Sequence, residues 1–148
     1  MTLADSMNSS PITCTPEVPV QRVARLMGQN EVGSVIVIDD ARRPVGIVTD
    51  RDLAVRVVGM GRDGDTPVAD VMTADPVTVS VEGTVGDAVR QLATRGCRRL
   101  PVIDVDDRRL VGVITLDDAL LETIEHAEAI ARVIGEERRD RVRGSFGL

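Results

Sequence analysis

The chain contains no lysine, no tryptophan and no tyrosine, and its one aromatic residue is Phe146. Every one of its 18 basic residues is therefore an arginine. Without lysine there is no Schiff-base amine, no phosphate-loop lysine and no Ser–Lys nucleophile pair. A single histidine, His126, and two cysteines, Cys14 and Cys97, fall short of the about four ligands that a zinc site takes. No serine has a credible general base near it, which argues against triad hydrolysis. Bases of single-stranded nucleic acid would find no aromatic to stack on, and a formal net charge of −6 opposes a phosphate backbone. No apolar run nears the roughly 20 residues of a bilayer span, and the first ten residues lack the apolar core of a signal peptide. These absences lead to several expectations: a cytoplasmic protein, not an enzyme, that binds no nucleic acid, membrane or metal and requires no cofactor. Both thiols should be free and reduced.

What remains is enough for a core. The 148 residues are 43% hydrophobic, and the interior must be filled by Val, Ile, Leu, Met and Ala. Branched side chains fit a pleated surface, so the composition favours strands.

The chain also repeats itself, and such repeats decide the architecture. Val45-Gly46-Ile47-Val48-Thr49-Asp50-Arg51-Asp52-Leu53 and Val111-Gly112-Val113-Ile114-Thr115-Leu116-Asp117-Asp118-Ala119 share one pattern, h-G-h-h-T-x-x-D-h, where h is apolar. Upstream, Met7 matches Met72, and Val20, Val23 and Met27 match Val85, Ala88 and Leu92. Each copy reads as a short extended piece (12–15; 77–80), a helix with apolar residues at the 3.6-residue period, a strand (35–38; 100–103), a tight connection, a second strand (45–48; 111–114), and a helix opened by T-x-x-D. Gly28 and Gly96 lie near the ends of the first helices. The fold class is α/β (α+β): two β-α-β-β-α repeats, each too small to bury its own surface and so packed on the other. Residues 1–58 form the first repeat, 59–67 a linker, 68–134 the second repeat and 135–148 a charged, mobile tail. Gly135 should end the last helix, whose apolar stripe is Leu120, Leu121, Ile124, Ala127, Ile130, Ala131 and Ile134. That stripe serves either packing on its own module or a dimer contact.

Gly59-Met60-Gly61-Arg62-Asp63-Gly64 matches the letters G-x-G-x-x-G. A dinucleotide fingerprint follows a strand and opens a helix. Here the run follows a helical stretch and leads into Thr66-Pro67, so it reads as a flexible linker.

The doubled G-h-h-T-x-x-D, the Val71-Met72-Thr73 lead-in and Gly96-Cys97-Arg98-Arg99-Leu100-Pro101-Val102-Ile103-Asp104 together resemble a tandem pair of cystathionine-β-synthase (CBS) domains, of the stand-alone bacterial type. The resemblance covers nearly all of residues 5–125. It implies a module with a pseudo-two-fold axis and clefts that bind AMP, ADP, ATP, NAD or S-adenosylmethionine. It also implies a homodimer formed through helical faces, and an unidentified protein regulated by the ligand.

Carried over residue by residue, the resemblance implies that Thr49 and Thr115 face a phosphate and that Asp52 and Asp118 accept from ribose hydroxyls. Ile12, Thr13, Val35, Val77, Thr78, Leu100 and Pro101 are the corresponding wall positions for adenine. A helix N-terminus offers free N–H groups to phosphate. Arg51 adds a cation in the first copy, where the second has Asp117, with Arg98 and Arg99 as compensating candidates. The first cleft is favoured. Thr-x-x-Asp is equally a helix cap with no ligand at all, and a stress-related structural or scaffold dimer with empty clefts is the competing reading. Cys97 and Cys14 read as small core residues, and His126 as a solvated helix residue.

Overall fold

A computed structural model describes residues 2–145. Its elements are α1 (Leu3–Ser6), β1 (Thr13–Cys14), α2 (Val20–Asn30), β2 (Ser34–Ile38), β3 (Pro44–Thr49), α3 (Asp50–Leu53), β4 (Thr73–Ala74), β5 (Val79–Ser80), α4 (Val85–Arg95), β6 (Arg99–Ile103), β7 (Leu110–Thr115) and α5 (Leu116–Ser145). A π-helical turn, Ala54–Val58, continues α3. Mixed α and β structure in two matching halves is what the repeats predict. Phe146 lies outside the described residues.

Each half has the same sheet. β1 runs parallel to β2, which is antiparallel to β3; β5, β6 and β7 repeat this arrangement. Even the register shift recurs, between Val37 and Ile38 and between Val102 and Ile103. On α2, Val20, Val23 and Met27 are buried, and on α4, Val85, Ala88 and Leu92. One side of each helix therefore covers its sheet, as the 3.6-residue spacing requires. A small contact of Ile36, Ile38, Leu110 and Val113 joins the halves.

The lead-in segments are exchanged. Leu3, fully buried, belongs to the core of the second half with Val79, Leu100 and Ile114, and its N–H donates to Gly83 O at 3.3 Å. Asn8 bridges Val113. Symmetrically, Val68 and Val71 fill the core of the first half, and β4 pairs with β3. The linear units 1–58 and 68–134 are thus not self-contained cores: each half is completed by the stretch that leads into the other.

Three further expectations change. Gly28 lies within α2, which ends instead at Glu31 in the left-handed region, φ 52°; only Gly96, φ 63°, serves as a glycine cap. Gly135 does not end α5, which continues helically to Ser145, so residues 135–145 are not an unstructured tail. A mid-helix glycine costs only about 1 kcal/mol, and neighbours rich in Glu and Arg sustain the helix. The glycine-rich linker does not hang free. Gly64 O accepts from Gln21 N–H at 3.0 Å and Thr66 O from Val20 N–H at 2.9 Å. These carbonyls satisfy the start of α2, whose N-cap residue, Pro19, has no side-chain acceptor. Thr84 performs that duty for α4. No helix among the described residues is long and apolar enough to cross a membrane.

Candidate functional site

Both T-x-x-D motifs stand where a strand turns into a helix. Thr49 N–H donates to Asp52 Oδ2 at 2.9 Å, and Asp52 N–H to Thr49 Oγ1 at 3.1 Å. Thr115 and Asp118 make the same pair of bonds, each 3.1 Å. The capping box is complete in both copies. It still leaves something over. The hydroxyls of Thr2 and Thr84 donate to the carboxylates three residues on, whereas those of Thr49 and Thr115 make no such donation among the described residues. Neither hydroxyl has an acceptor for its proton among the described residues.

Two clefts flank these motifs and are equivalent under the repeat. The first, about 460 Å³, is lined by Ile47, Thr49, Asp50, Arg51, Asp52, Thr73, Cys97, Arg98 and Arg99. The second, about 260 Å³, holds Thr115 and Asp118 opposite Asn8, Pro11, Ile12 and residues 32–36 of the first half. Each motif thus faces the other half of the chain. Sites for small molecules typically enclose ~300–1,000 Å³, which favours the first cleft.

Charge favours it too. Arg51, Arg98 and Arg99 outnumber Asp50 and Asp52 there, while the second cleft sets Arg99 against Asp118. Two of these groups are partly engaged: Asp52 lies 3.7 Å from Arg56, and Arg98 lies 3.6 Å from Asp117. Arg99 is different. It is the antiparallel neighbour of Thr115 in the sheet, half-buried, and reaches across Gly33, where a Cβ would stand 2.9 Å from its guanidinium. It lines both clefts, and its guanidinium makes no ion pair or hydrogen bond among the described residues. A half-buried arginine left in that state presents five donors to an anion.

The free N–H groups expected at the start of α3 are not free. Asp50 N–H donates to Gly33 O at 3.1 Å, Arg51 N–H to the Asp50 carboxylate at 2.9 Å, and Asp52 N–H to Thr49. The donors left uncommitted here are the Thr49 hydroxyl and the arginines of the lining.

The expected walls are only partly in place. Ile12 lines the second cleft. Val35 and Leu100 are buried in the cores, Pro101 is fully buried, and none of the three lines either cleft. Thr13 lies in β1 opposite Ile36 and is absent from both linings. Val77 packs on the second core, and Thr78 faces a separate small cleft beside Arg43 and Arg108. Residues missed as walls include Asn8, Ser34, Ile47 and Thr73. Cys97 is partly buried, packs on the second core and also lines the first cleft, whereas Cys14 is buried. Burial, with Glu17 adding to it, pushes the Cys14 thiol up to about 11. Of the two arginines expected to compensate the second copy, Arg99 lines the second cleft as well as the first, and Arg98 lines only the first.

The two repeats agree with comparisons to known proteins. The family model "CBS domain" matches twice, at residues 3–59 and 68–125. The chain is 35% identical over 125 residues to the CBS domain-containing protein YhcV of Bacillus subtilis, covering 84% of this chain and 87% of that protein. It is 36% identical over 110 residues to the uncharacterized protein MK0525 of Methanopyrus kandleri, covering 74% of this chain but only 56% of that protein's length. The CBS domain protein PAE2072 of Pyrobaculum aerophilum, solved in complex with AMP, superposes with a TM-score of 0.74 at 25% identity, over 82% of this chain and 97% of that one. Two family matches, placed on two structurally equivalent halves, make this chain a member of the CBS domain family, carrying a tandem pair.

Proposed function

We propose that the chain is a regulatory module that binds an adenosine-containing nucleotide, AMP foremost, in the cleft of Thr49 and Asp52. The observation that carries this reading is the unpaired, half-buried guanidinium of Arg99 beside a threonine hydroxyl whose proton is uncommitted. Phosphate suits that pair: it accepts from both, and arginine binds it in bidentate fashion. Asp52 keeps acceptor capacity on Oδ1 for the ribose hydroxyls, while Ile47, the one aliphatic side chain of the lining, and backbone groups receive the base. A relative of the same fold holding AMP supports the choice of ligand. ADP, ATP, NAD and S-adenosylmethionine are the alternatives within the class. Ligand would draw the two halves together across the cleft and so bias a geometry that a regulated protein reads; no turnover is part of this reading.

A scaffold with empty clefts is the second reading, favoured by the capping boxes being complete without ligand. Differential scanning calorimetry separates the two. A nucleotide at about a hundred times its dissociation constant stabilises the fold by ~2.7 kcal/mol. A rise in melting temperature with AMP that is lost in Arg99→Ala supports the sensor. No rise with any of the five adenosine compounds selects the scaffold.

A further inference from the structure

The small cleft beside Thr78 is separate from the two that hold the T-x-x-D motifs. Pro44, at one end of β3, lines it, while Thr49, at the other end, stands in the first cleft. A strand of that length separates the two by about 17 Å. The small cleft encloses about 140 Å³, and sites for whole small molecules start near ~300 Å³. One phosphate group fits such a space and a nucleoside does not.

Two turns build it, the connection from β2 to β3 and the connection from β6 to β7. They are tied to each other: Leu110 N–H donates to Arg42 O at 2.8 Å, and Arg43 Nε–H to Asp107 O at 3.0 Å. The second bond orients the Arg43 guanidinium and leaves both of its Nη groups without a partner among the described residues. Arg108, on the other turn, makes no ion pair or side-chain hydrogen bond among the described residues. Acids of the same turns are engaged elsewhere. Asp39 accepts from the N–H groups of Ala41 and Arg43, both at 2.9 Å, Asp104 accepts from Asp106 N–H at 2.8 Å, and Asp107 lies 3.9 Å from Arg109.

Two more groups complete the lining. The Thr78 hydroxyl, half-buried, has no acceptor among the described residues. Asp75 is the one carboxylate of the lining, and it takes no hydrogen bond and joins no ion pair among the described residues. Two guanidinium groups and a hydroxyl therefore donate into this space, and one carboxylate accepts. An anion without a proton is repelled by Asp75; an anion with an O–H donates to it. Sulfate carries no proton near neutral pH. A phosphate monoester has lost its second proton above pH ~6. Inorganic phosphate still keeps one.

We propose that this cleft is a binding site for inorganic phosphate, whose oxygens accept from Arg43, Arg108 and Thr78 and whose remaining O–H donates to Asp75. The repeat places Ser10 where this side has Asp75, so the acceptor belongs to this half alone. The site stands whether or not the larger clefts bind a nucleotide.

Titration calorimetry on the full chain at pH 7.5 tests it, with inorganic phosphate, sulfate and phosphoserine as probes. Phosphate should bind at least about tenfold more tightly than either of the others, and Arg108→Gln should weaken it at least about tenfold. Arg99→Ala, which removes a cation from both larger clefts, should still bind phosphate. Asp75→Asn replaces an acceptor by a donor, at a left-handed position, φ 49°, that asparagine tolerates; it should bring sulfate level with phosphate. Arg108 and Asp75 are exposed, so both variants keep the fold, which scanning calorimetry checks. Three results would each overturn the proposal. They are a wild type that binds no phosphate, one that binds sulfate as tightly as phosphate, and phosphate binding that survives Arg108→Gln but not Arg99→Ala.

Discussion

The side chain of Met72 occupies the space in which a Cβ on Gly46 would stand. Met7 does the same at Gly112, where an added Cβ would lie 2.5 Å from its sulfur and 2.9 Å from the carbonyl oxygen of Asn8. The glycine of each h-G-h-h-T-x-x-D motif is thus the seat of a methionine delivered by the lead-in segment. Overpacking a core by one methyl group costs about 1–3 kcal/mol. Gly46→Ala and Gly112→Ala should both destabilise by that order in urea denaturation. Met72→Ala should partly relieve Gly46→Ala, since only a flexible side chain is in the way. Met7→Ala should fail to relieve Gly112→Ala, because the Asn8 backbone remains.

Glu31 occupies the left-handed position that Gly96 fills in the other copy. A side chain there costs roughly 1–2 kcal/mol, offset by the roughly 0.5–1 kcal/mol of chain entropy that glycine gives up. Glu31→Gly should raise stability by about 0.5–1 kcal/mol, read as an upward shift of the thermal midpoint.

The two thiols should behave oppositely. At pH 8 iodoacetamide should label Cys97 in the folded protein and both cysteines after unfolding. The Cys14 thiol is raised to about 11 in the fold. A raised acid favours the native state fully below the ordinary thiol value of ~8.5, and that contribution is lost as pH climbs through the folded value. An alkaline loss of stability, removed by Cys14→Ala, checks this. Because Cys97 lines the first cleft, AMP should slow its labelling.

At the acid end the sign reverses. Hydrogen bonds from the Thr84 backbone and hydroxyl, then Arg90, hold the Asp87 carboxyl below its usual value. Its contribution is complete above the ordinary carboxylate range and disappears as pH falls through the lower folded value. Thr84→Ala should therefore destabilise more at pH 7 than at pH 2.5, and chemical denaturation at the two pH values measures the difference.

Arg99 serves two clefts with one guanidinium. Charge-assisted hydrogen bonds contribute about 1.5–3 kcal/mol, so Arg99→Ala should weaken AMP binding by roughly tenfold to over a hundredfold while leaving adenosine unchanged. Titration calorimetry with both ligands tests this. Equal losses for AMP and adenosine would mean that Arg99 shapes the cleft and does not meet phosphate.

How much of this was legible beforehand depends on what local pattern can express. Strands β2, β3, β6 and β7 and the buried faces of α2 and α4 follow from periodicity, which is a property of short windows. The T-x-x-D caps are equally local. The cleft walls are not. Past Ser34 and Arg99, β2 and β6 are apolar, with no alternation to say which side chains face outward, so nothing in the sequence tells that Val35, Leu100 and Pro101 are buried and not on a cleft wall. Nor does any window of sequence reveal that Leu3 packs on the second half and Val68 on the first. The clue available was register: pairing the repeated strands sets Arg99 beside Thr115 as Ser34 is beside Thr49.

The exchanged lead-ins have a consequence for any shorter version of this chain. A single repeat, cut from its neighbour, lacks the leucine or valine that closes its core and the methionine that fills the glycine seat. It can recover both only from another molecule, by trading segments. The tandem chain is in this sense a swapped dimer tethered through residues 59–67, and severing that tether should leave two fragments that stay associated.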